Sequence, residues 1–198
     1  MNEGVSAAKG TFIWFLNGGD RLLEPATLNG MLASLNSRED AGMAIAGASL
    51  TRDGKWLYSQ PAPLSLRKGV LGSNHICHQS VIYRRSTLMK LGLYNTAYRL
   101  AADYDLNFRA FLEGVTALLS PGTLVSYDMS GSSSDYRKVF TEYYAIHSCL
   151  SGRLPRAPMA SNACARKFAF AKIVVVKALA HSPLAPWLRP IWIKLKRA

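Results

Sequence analysis

A short apolar run that ends in two glycines and an aspartate most strongly limits how this chain can fold. Residues 11–16, Thr-Phe-Ile-Trp-Phe-Leu, are followed directly by Asn17-Gly18-Gly19-Asp20. An apolar run closed by turn-forming residues predicts a buried strand that ends in a loop with unusual backbone angles. We therefore expect the Asp20 carboxylate at the carboxyl edge of a sheet, where α/β proteins usually bind ligands.

The glycines and the carboxylate leave two interpretations of this loop. Gly18 and Gly19 would let the backbone approach a phosphate closely, and Asp20 could share a hard divalent cation with a diphosphate. The alternative is an exposed turn that binds no ligand. The residues of the loop alone do not decide between these interpretations.

The chain up to about residue 134 alternates predicted strands with predicted helices. Asp53-Gly54 lies between two such strands and is a hairpin signal. The alternation predicts an α/β layered core. The predicted strands are 11–16, 43–50, 55–59, 79–83, 115–119 and 123–127, and the predicted helices begin at Pro25, Ser86 and Tyr104. Gly92 is predicted to end the short helix that begins at Ser86.

The helix that begins at Tyr104 carries two carboxylates at its start. Tyr104, Phe108 and Leu112 share one face at helical spacing, and Gly114 ends the run. Asp103 could simply be the N-cap, because aspartate is favoured there. Capping does not explain a second carboxylate at Asp105 or the apolar lead-in 100–102, which could desolvate a general base, so both interpretations stay open.

Histidines and cysteines give weaker signals. His75 and His78 stand three residues apart before a predicted strand, but no second ligand pair follows at zinc-like spacing. We therefore predict a hydrogen-bonding role for His78. The three cysteines are widely spaced and odd in number, which fits neither a disulfide framework nor a structural zinc site and favours a reducing, cytosolic setting.

Positive charge is concentrated at the end of the chain. Residues 1–136 carry 12 Lys+Arg and 11 Asp+Glu, whereas residues 137–198 carry 12 Lys+Arg and only one acidic residue, Glu142. This asymmetry favours a polyanionic partner. We predict a division into a core, 1–134, and a basic, amphipathic helical tail, 135–198.

The tail pattern has three interpretations: an anionic membrane surface, a nucleic-acid arm or a solvated helical face. Aromatic residues, among them Trp187 and Trp192, alternate with cations, and the bulky run 173–176 is Ile-Val-Val-Val. This pattern favours the membrane surface, because aromatic rings can insert among the acyl chains while the cations bind the anionic headgroups. The longest nearly apolar stretch, 168–180, is too short and too charged to span a bilayer. We therefore expect a peripheral protein at the inner face of the cytoplasmic membrane and no nucleic-acid partner.

Four motifs in order resemble the inverting family 2 glycosyltransferases with the GT-A fold, in particular those of colanic-acid-type exopolysaccharide assembly. Met1-Asn2-Glu3-Gly4 and the loop at 15–20 are similar to that family's Met-Asn-Lys-Gly segment and its metal-binding Asp-x-Asp region. His78-Gln79-Ser80 is similar to its His-Gln before a core strand. Residues 93–109, with Ala102-Asp103, are similar to its acceptor-side Glu-Asp motif and the helix after it.

The resemblance implies an α/β, Rossmann-like GT-A core and a transfer reaction. Asp20 would hold Mg²⁺ or Mn²⁺ on a nucleotide-sugar donor, with the loop residues Asn17, Gly18 and Gly19 beside it. Asp103 would be the general base that activates a lipid-linked or glycan acceptor. Substrate-binding roles would fall to His78, Gln79, Asp105 and Arg109.

The resemblance also implies where this chain stands in the family's fold. A nucleotide-binding half precedes the Met-Asn-Lys-Gly segment in the family, so we expect an N-terminally truncated core here. One carboxylate of the metal motif is kept, and Ala102 replaces the glutamate of the Glu-Asp pair. The alternative function is a catalytically silent remnant that only binds a membrane or a partner.

Overall fold

A computed structural model of the chain describes residues 1–71, 76–129 and 136–154. Residues 1–153 form one compact unit that holds the whole sheet. Residues 155–198 of the predicted tail, and His75, lie outside the described residues. Within these ranges, no helix has both the length and the apolar character needed to cross a bilayer.

In the described part of the chain, six strands form one mixed sheet with helices packed against it, which confirms the predicted α/β fold. The strands are β1 (Phe12–Trp14), β2 (Arg21–Leu22), β3 (Ala41–Arg52), β4 (Lys55–Gln60), β5 (Val81–Arg84) and β6 (Thr116–Asp128). The helices are α1 (Asn2–Ala7), α2 (Pro25–Ser37), α3 (Leu66–Leu71), α4 (Arg85–Lys90), α5 (Ala102–Leu112) and α6 (Tyr136–Leu150).

The long strand β3 lies at the centre of the sheet. The order is β1-β5-β3-β6-β2, and β4 also pairs with β3. Of these pairs, only β3 with β6 is parallel, and its register runs from Ala41 opposite Thr116 to Thr51 opposite Asp128. All ten residues from Ala41 to Leu50 are buried, as expected for a strand with neighbours on both edges and layers on both faces.

Strand registers bring several loops to one edge of the sheet. In the antiparallel pairs, Trp14 at the end of β1 lies opposite Ile82 near the start of β5, and Val81 lies opposite Ile45 of β3. The end of β1 and the start of β5 therefore face the edge at which β3 and β6 end. Arg21 of β2 pairs with Ser126 of β6, so the loop before β2 reaches the same edge.

Local signals explain most of the short elements. Pro25 stands in the first turn of α2, where its missing N–H costs nothing. The predicted hairpin is confirmed, since Asp53 and Gly54 adopt φ of 51° and 75°, as a tight turn with two left-handed residues requires. Gly92 ends α4 with φ of 79°, which confirms the predicted stop.

Apolar layers cover both faces of the sheet. Met31 and Leu35 of α2 pack with Ala44 and Ile82 on one face, and burial of two such large side chains stabilises the fold by about 3–6 kcal/mol. A second cluster includes Leu50, Cys77, Val125 and Met129. Helix α5 packs against α3 and α6, and the Tyr83 hydroxyl donates to the Asn107 side chain at 2.9 Å. These contacts fix α5 relative to β5.

Three sequence predictions differ from the structure. Predicted strands 115–119 and 123–127 form the single strand β6, because pairing with β3 continues through the irregularity around Pro121. Predicted strand 11–16 is paired only over Phe12–Trp14, and 79–80 belong to a 3₁₀ turn, His78–Ser80. The compact unit 1–153 includes α6, which packs against α5.

Gly47 should tolerate no side chain. A Cβ there would lie 2.9 Å from the Gln60 carbonyl oxygen and 3.2 Å from that of Gly122, both backbone atoms that cannot rotate away. We expect Gly47→Ala to lower the free energy of unfolding by about 1–3 kcal/mol. Gly30→Ala is the matched control, because a Cβ at this helical position meets open space. This substitution should raise the free energy of unfolding by up to about 1 kcal/mol. Urea unfolding of both variants measures the difference, and equal midpoints would contradict this packing.

Candidate active site

The loop after β1 forms a tight turn that presents the Asp20 carboxylate. The Asp20 N–H donates to the Asn17 carbonyl at 3.1 Å, and the Asn17 N–H donates to Asp20 Oδ2 at 3.2 Å. Gly19 adopts φ of 91°, which glycine allows at little cost. Gly18 and Gly19 are exposed, and a Cβ at Gly18 would meet no atom within 4 Å. The backbone beside Asp20 is therefore open to a ligand.

A second carboxylate, Asp128, lies at this turn. Its N–H donates to Asp20 Oδ1 at 3.0 Å, and its Oδ2 lies 4.0 Å from where a Gly19 Cβ would stand. Asp128 is the last residue of β6, and the β2–β6 pairing brings Asp20 beside it. Only one of these two carboxylates, Asp20, was predicted from the sequence, and Asp128 was missed. A polar residue directly after the predicted strand 123–127 was the available signal.

His78 lies in an aromatic cluster with Phe15 and Tyr94. Its ring stacks on Phe15 with centroids 5.5 Å apart and meets Tyr94 edge-on at 5.7 Å. Among the described residues, both imidazole nitrogens and the Tyr94 hydroxyl are buried without a hydrogen-bond partner. Such groups are rare in folded proteins and mark sites where a ligand or an ordered water completes the bonding.

Two carboxylates act electrostatically on His78. Burial lowers its pKa below the usual value of 6.5, while the negative charges of Asp103 and Asp20 oppose this shift. Coulomb interactions weaken with distance, so carboxylates that both act on His78 must lie within electrostatic range of its imidazole. The structure thus brings Asp20, His78 and Asp103 together from three separate parts of the sequence. We call these three residues the candidate site.

Asp103 is not the N-cap of its helix. The cap is Ala101, and Asp103 is the second residue of α5. Its side chain is half-buried, and its charge also raises the pKa of the buried residues Tyr83 and Tyr94, for which burial is the largest cause. The Asp103 carboxylate therefore lies near buried aromatic residues. A general base needs such surroundings, whereas an N-cap does not.

Asp105 and Arg109 bind each other and the backbone. The guanidinium lies 2.7 Å from Asp105 Oδ2, and it donates to the carbonyls of Leu91 and Leu93, the latter at 2.8 Å. Leu93 has φ of 64°, which is rare for a side chain of this size, and these bonds hold it there. These contacts give the pair a structural role, and its role in substrate binding stays a prediction.

Gln79 also has mainly structural contacts. Its carbonyl accepts the Trp14 indole N–H at 2.7 Å, and its side-chain oxygen accepts the Cys77 thiol at 3.4 Å. Burial raises the pKa of Cys77 to about 12, and the charges of Asp103 and Asp20 add to this. Cys77 therefore remains a thiol at neutral pH and is no nucleophile. Gln79 fixes the turn that presents His78.

The N-terminal helix is tied to the aromatic cluster. The Asn2 side chain donates to the Tyr94 carbonyl at 2.9 Å and accepts the Tyr94 N–H at 3.0 Å. Arg85 donates to the Val5 carbonyl at the end of α1, which holds the helix from its other end. Asn2 and Tyr94, both within the motifs noted in the sequence, therefore meet in space.

Oxygen ligands for a hard cation are present, though few. Within the described residues, no group of three or more His, Cys, Asp or Glu side chains is arranged around one point. Asp20 and Asp128 offer two carboxylates beside exposed backbone. Mg²⁺ is commonly held by one or two carboxylates together with substrate phosphates, so this donor set fits a cation that binds with a diphosphate.

Comparisons with known proteins link the chain to glycosyltransferases. No protein-family model matches it. It is 34% identical over 111 residues to a Mycobacterium bovis protein named PGL/p-HBAD biosynthesis glycosyltransferase, covering 56% of this chain and 42% of that protein. It is 30% identical over 137 residues to an uncharacterised Mycobacterium tuberculosis glycosyltransferase, covering 68% and 51%. The chain spans about half the length of these curated relatives.

Solved structures of TarS share the fold of this chain. The chain matches Staphylococcus aureus TarS in complex with UDP-GlcNAc with a TM-score of 0.57 and 15% identity, over 91% of this chain and 52% of TarS 1–349. The UDP complex of TarS gives a TM-score of 0.54 at 13% identity, over 97% and 56%. This confirms the predicted α/β glycosyltransferase core.

The depressed pKa of His78 predicts a pH dependence of stability. Below about pH 6.5 the unfolded chain binds a proton that the buried imidazole resists, so the free energy of unfolding falls as the pH decreases. His78→Phe keeps the aromatic packing and removes this titration. We expect the melting temperature of the native protein to fall more than that of the variant between pH 7.5 and 5.5. Parallel falls would show that His78 is not desolvated.

Proposed function

We propose that this chain is the catalytic part of an inverting family 2 glycosyltransferase that moves a sugar from a nucleotide-sugar donor to an acceptor hydroxyl. The position of Asp20 and Asp103 within electrostatic range of the buried imidazole of His78 carries the proposal. The glycosyltransferase fold and the named relatives support it. We assign the product to exopolysaccharide or other cell-surface glycan synthesis, as the colanic-acid-type motifs indicate.

Asp103 is the general base in this proposal. A sugar hydroxyl attacks poorly until its proton is removed, and a carboxylate in half-buried surroundings is suited to accept that proton. The hydroxyl oxygen then bonds to the anomeric carbon of the donor, while the bond from that carbon to the phosphate oxygen breaks. Attack opposite the leaving nucleoside diphosphate inverts the anomeric centre.

The turn at Asn17–Asp20 receives the donor diphosphate. The exposed backbone at Gly18 and Gly19 admits phosphate oxygens, and Asp20 with Asp128 would hold Mg²⁺ or Mn²⁺ there. When bound, the cation would neutralise charge on the leaving diphosphate. His78, neutral at pH 7 because burial lowers its pKa, offers one donor and one acceptor to substrate oxygens.

The acceptor is assigned from the charge of the chain. Residues 137–198 carry 12 Lys+Arg and a single acidic residue, which suits attraction to an anionic leaflet at about 1 kcal/mol for each cation near the surface. We therefore place the protein at the cytoplasmic face of the membrane, with a lipid-linked or glycan acceptor. No nucleic-acid partner is part of the proposal.

Asp103→Asn should abolish transfer while leaving the fold intact. The amide is nearly isosteric but cannot accept the proton, so we expect release of nucleoside diphosphate to fall by about 10²- to 10⁴-fold. Loss of one negative charge in the first turn of α5 should cost less than about 1 kcal/mol. The assay uses UDP-GlcNAc and other UDP- and GDP-sugars with a bacterial lipid extract as the source of acceptors.

Asp40→Asn is the matched control for this substitution. Asp40 is an exposed carboxylate that pairs with Arg38 just before β3, far along the strand from the candidate site. Its variant should transfer sugar at the native rate. Near-native turnover of Asp103→Asn would refute the assignment of the base. A native chain that releases no diphosphate from any donor would favour the silent remnant.

Asp20→Asn and Asp128→Asn should each weaken the response of donor binding to metal. We expect calorimetric titration with UDP to show binding that Mn²⁺ strengthens in the native chain, and each substitution should weaken this strengthening. The amide at position 20 can still accept one of its two backbone N–H bonds, so the turn should persist. Asp40→Asn again serves as control. An unchanged Mn²⁺ response in both variants would place the cation elsewhere.

A further inference from the structure

Glu142 of α6 binds three consecutive backbone N–H groups before α5. Its Oε1 accepts the Arg99 N–H at 3.1 Å, and its Oε2 accepts those of Leu100 and Ala101, each at 2.8 Å. Hydrogen bonds to a charged group are about twice as strong as neutral ones. The carboxylate therefore fixes the backbone that leads directly into the catalytic helix.

Helix α5 has no polar cap of its own. The first four N–H groups of a helix lack partners within it, and the N-cap residue here, Ala101, has no side-chain oxygen to accept one. The negative charge of Glu142 lies at the positive end of the helix dipole. Glu142 binds the N–H of the N-cap residue, as the glutamate of a capping box does, but it lies some 40 positions later in the chain.

The remainder of α5 is held independently of Glu142. The Asn107 side chain binds the Tyr83 hydroxyl, and Arg109 binds the backbone of the Leu91–Leu93 turn. At the far end, Glu113 forms an ion pair with Arg153 at 2.6 Å. Loss of Glu142 would therefore loosen mainly the first turn, in which Asp103 lies.

We propose that Glu142 is a positioning residue for Asp103, holding the first turn of α5 so that the base reaches the acceptor hydroxyl. This inference rests on the proposed function. Catalytic groups need placement within about 0.5 Å, and rigid backbone beneath them provides it. Glu142 thus links α6 to the first turn of α5, in which Asp103 lies.

The first test uses His78 as a reporter and requires no activity. The charge of Asp103 favours the imidazolium of His78, whereas Glu142 is not among the charges that act on it. We expect the NMR-measured pKa of His78 to fall in Asp103→Asn and, by a smaller amount, in Glu142→Gln. The double variant should match Asp103→Asn alone, because Glu142 acts through Asp103. Additive shifts, or no shift in Glu142→Gln, would overturn the proposal.

Two further variants separate positioning from folding. Glu113→Gln removes the ion pair at the other end of α5 and should leave the titration of His78 unchanged. Glu142→Gln keeps one oxygen for the Leu100 and Ala101 N–H groups, so it should fold. If its circular dichroism spectrum differs from that of the native chain, Glu142→Asp replaces it, which keeps the charge but shortens the reach.

The second test measures turnover. A misplaced base should lower kcat by roughly 10- to 100-fold while leaving KM for the UDP-sugar unchanged. In the Asp103→Asn background, Glu142→Gln should cause no additional loss. Equal losses from Glu142→Gln and Glu113→Gln would mean general destabilisation and would refute positioning. Activity that is insensitive to Asp103→Asn would instead refute the proposed function, and the His78 titration would still decide the inference.

Discussion

The parallel pairing of β3 with β6 is the constraint from which the rest of the structure follows. It continues from Ala41 opposite Thr116 to Thr51 opposite Asp128, so β6 ends where β3 ends. β2 pairs with the last residues of β6, so the loop that precedes β2 lies at the same edge of the sheet. Asp20 in this loop therefore lies beside Asp128. Burial of ten consecutive residues of β3 pins this register from both faces.

Burial and nearby negative charge have opposite effects on the pKa of His78 at this edge of the sheet. His78 is desolvated, and the carboxylates of Asp20 and Asp103 only partly compensate, so its imidazole stays neutral. Its nitrogens and the Tyr94 hydroxyl remain without partners among the described residues. A folded protein rarely leaves three such atoms unpaired, which is the strongest structural sign that a polar ligand or water belongs there.

Turns and helix ends could be predicted from the sequence, whereas contacts between residues far apart in the chain could not. The Asp53-Gly54 hairpin and the stop at Gly92 depend on backbone angles that neighbouring residues determine, and both were predicted correctly. Asp128 and Glu142 act on partners some 110 and 40 positions away in the chain. Their roles depend on the sheet register and on helix packing, which no local pattern encodes. Glu142 was visible only as the single acidic residue after 136.

Paramagnetic broadening by Mn²⁺ tests most directly whether the candidate site is one metal-dependent centre. The account predicts that substoichiometric Mn²⁺, added with UDP, broadens the amide signals of Gly19, Asp20 and Asp128 first and those of His78 and Asp103 next. Asp40 should stay sharp, because β3 separates it from the site by 12 residues, or about 40 Å. Broadening at Asp40 equal to that at Asp20, or none at the candidate site, would contradict the account.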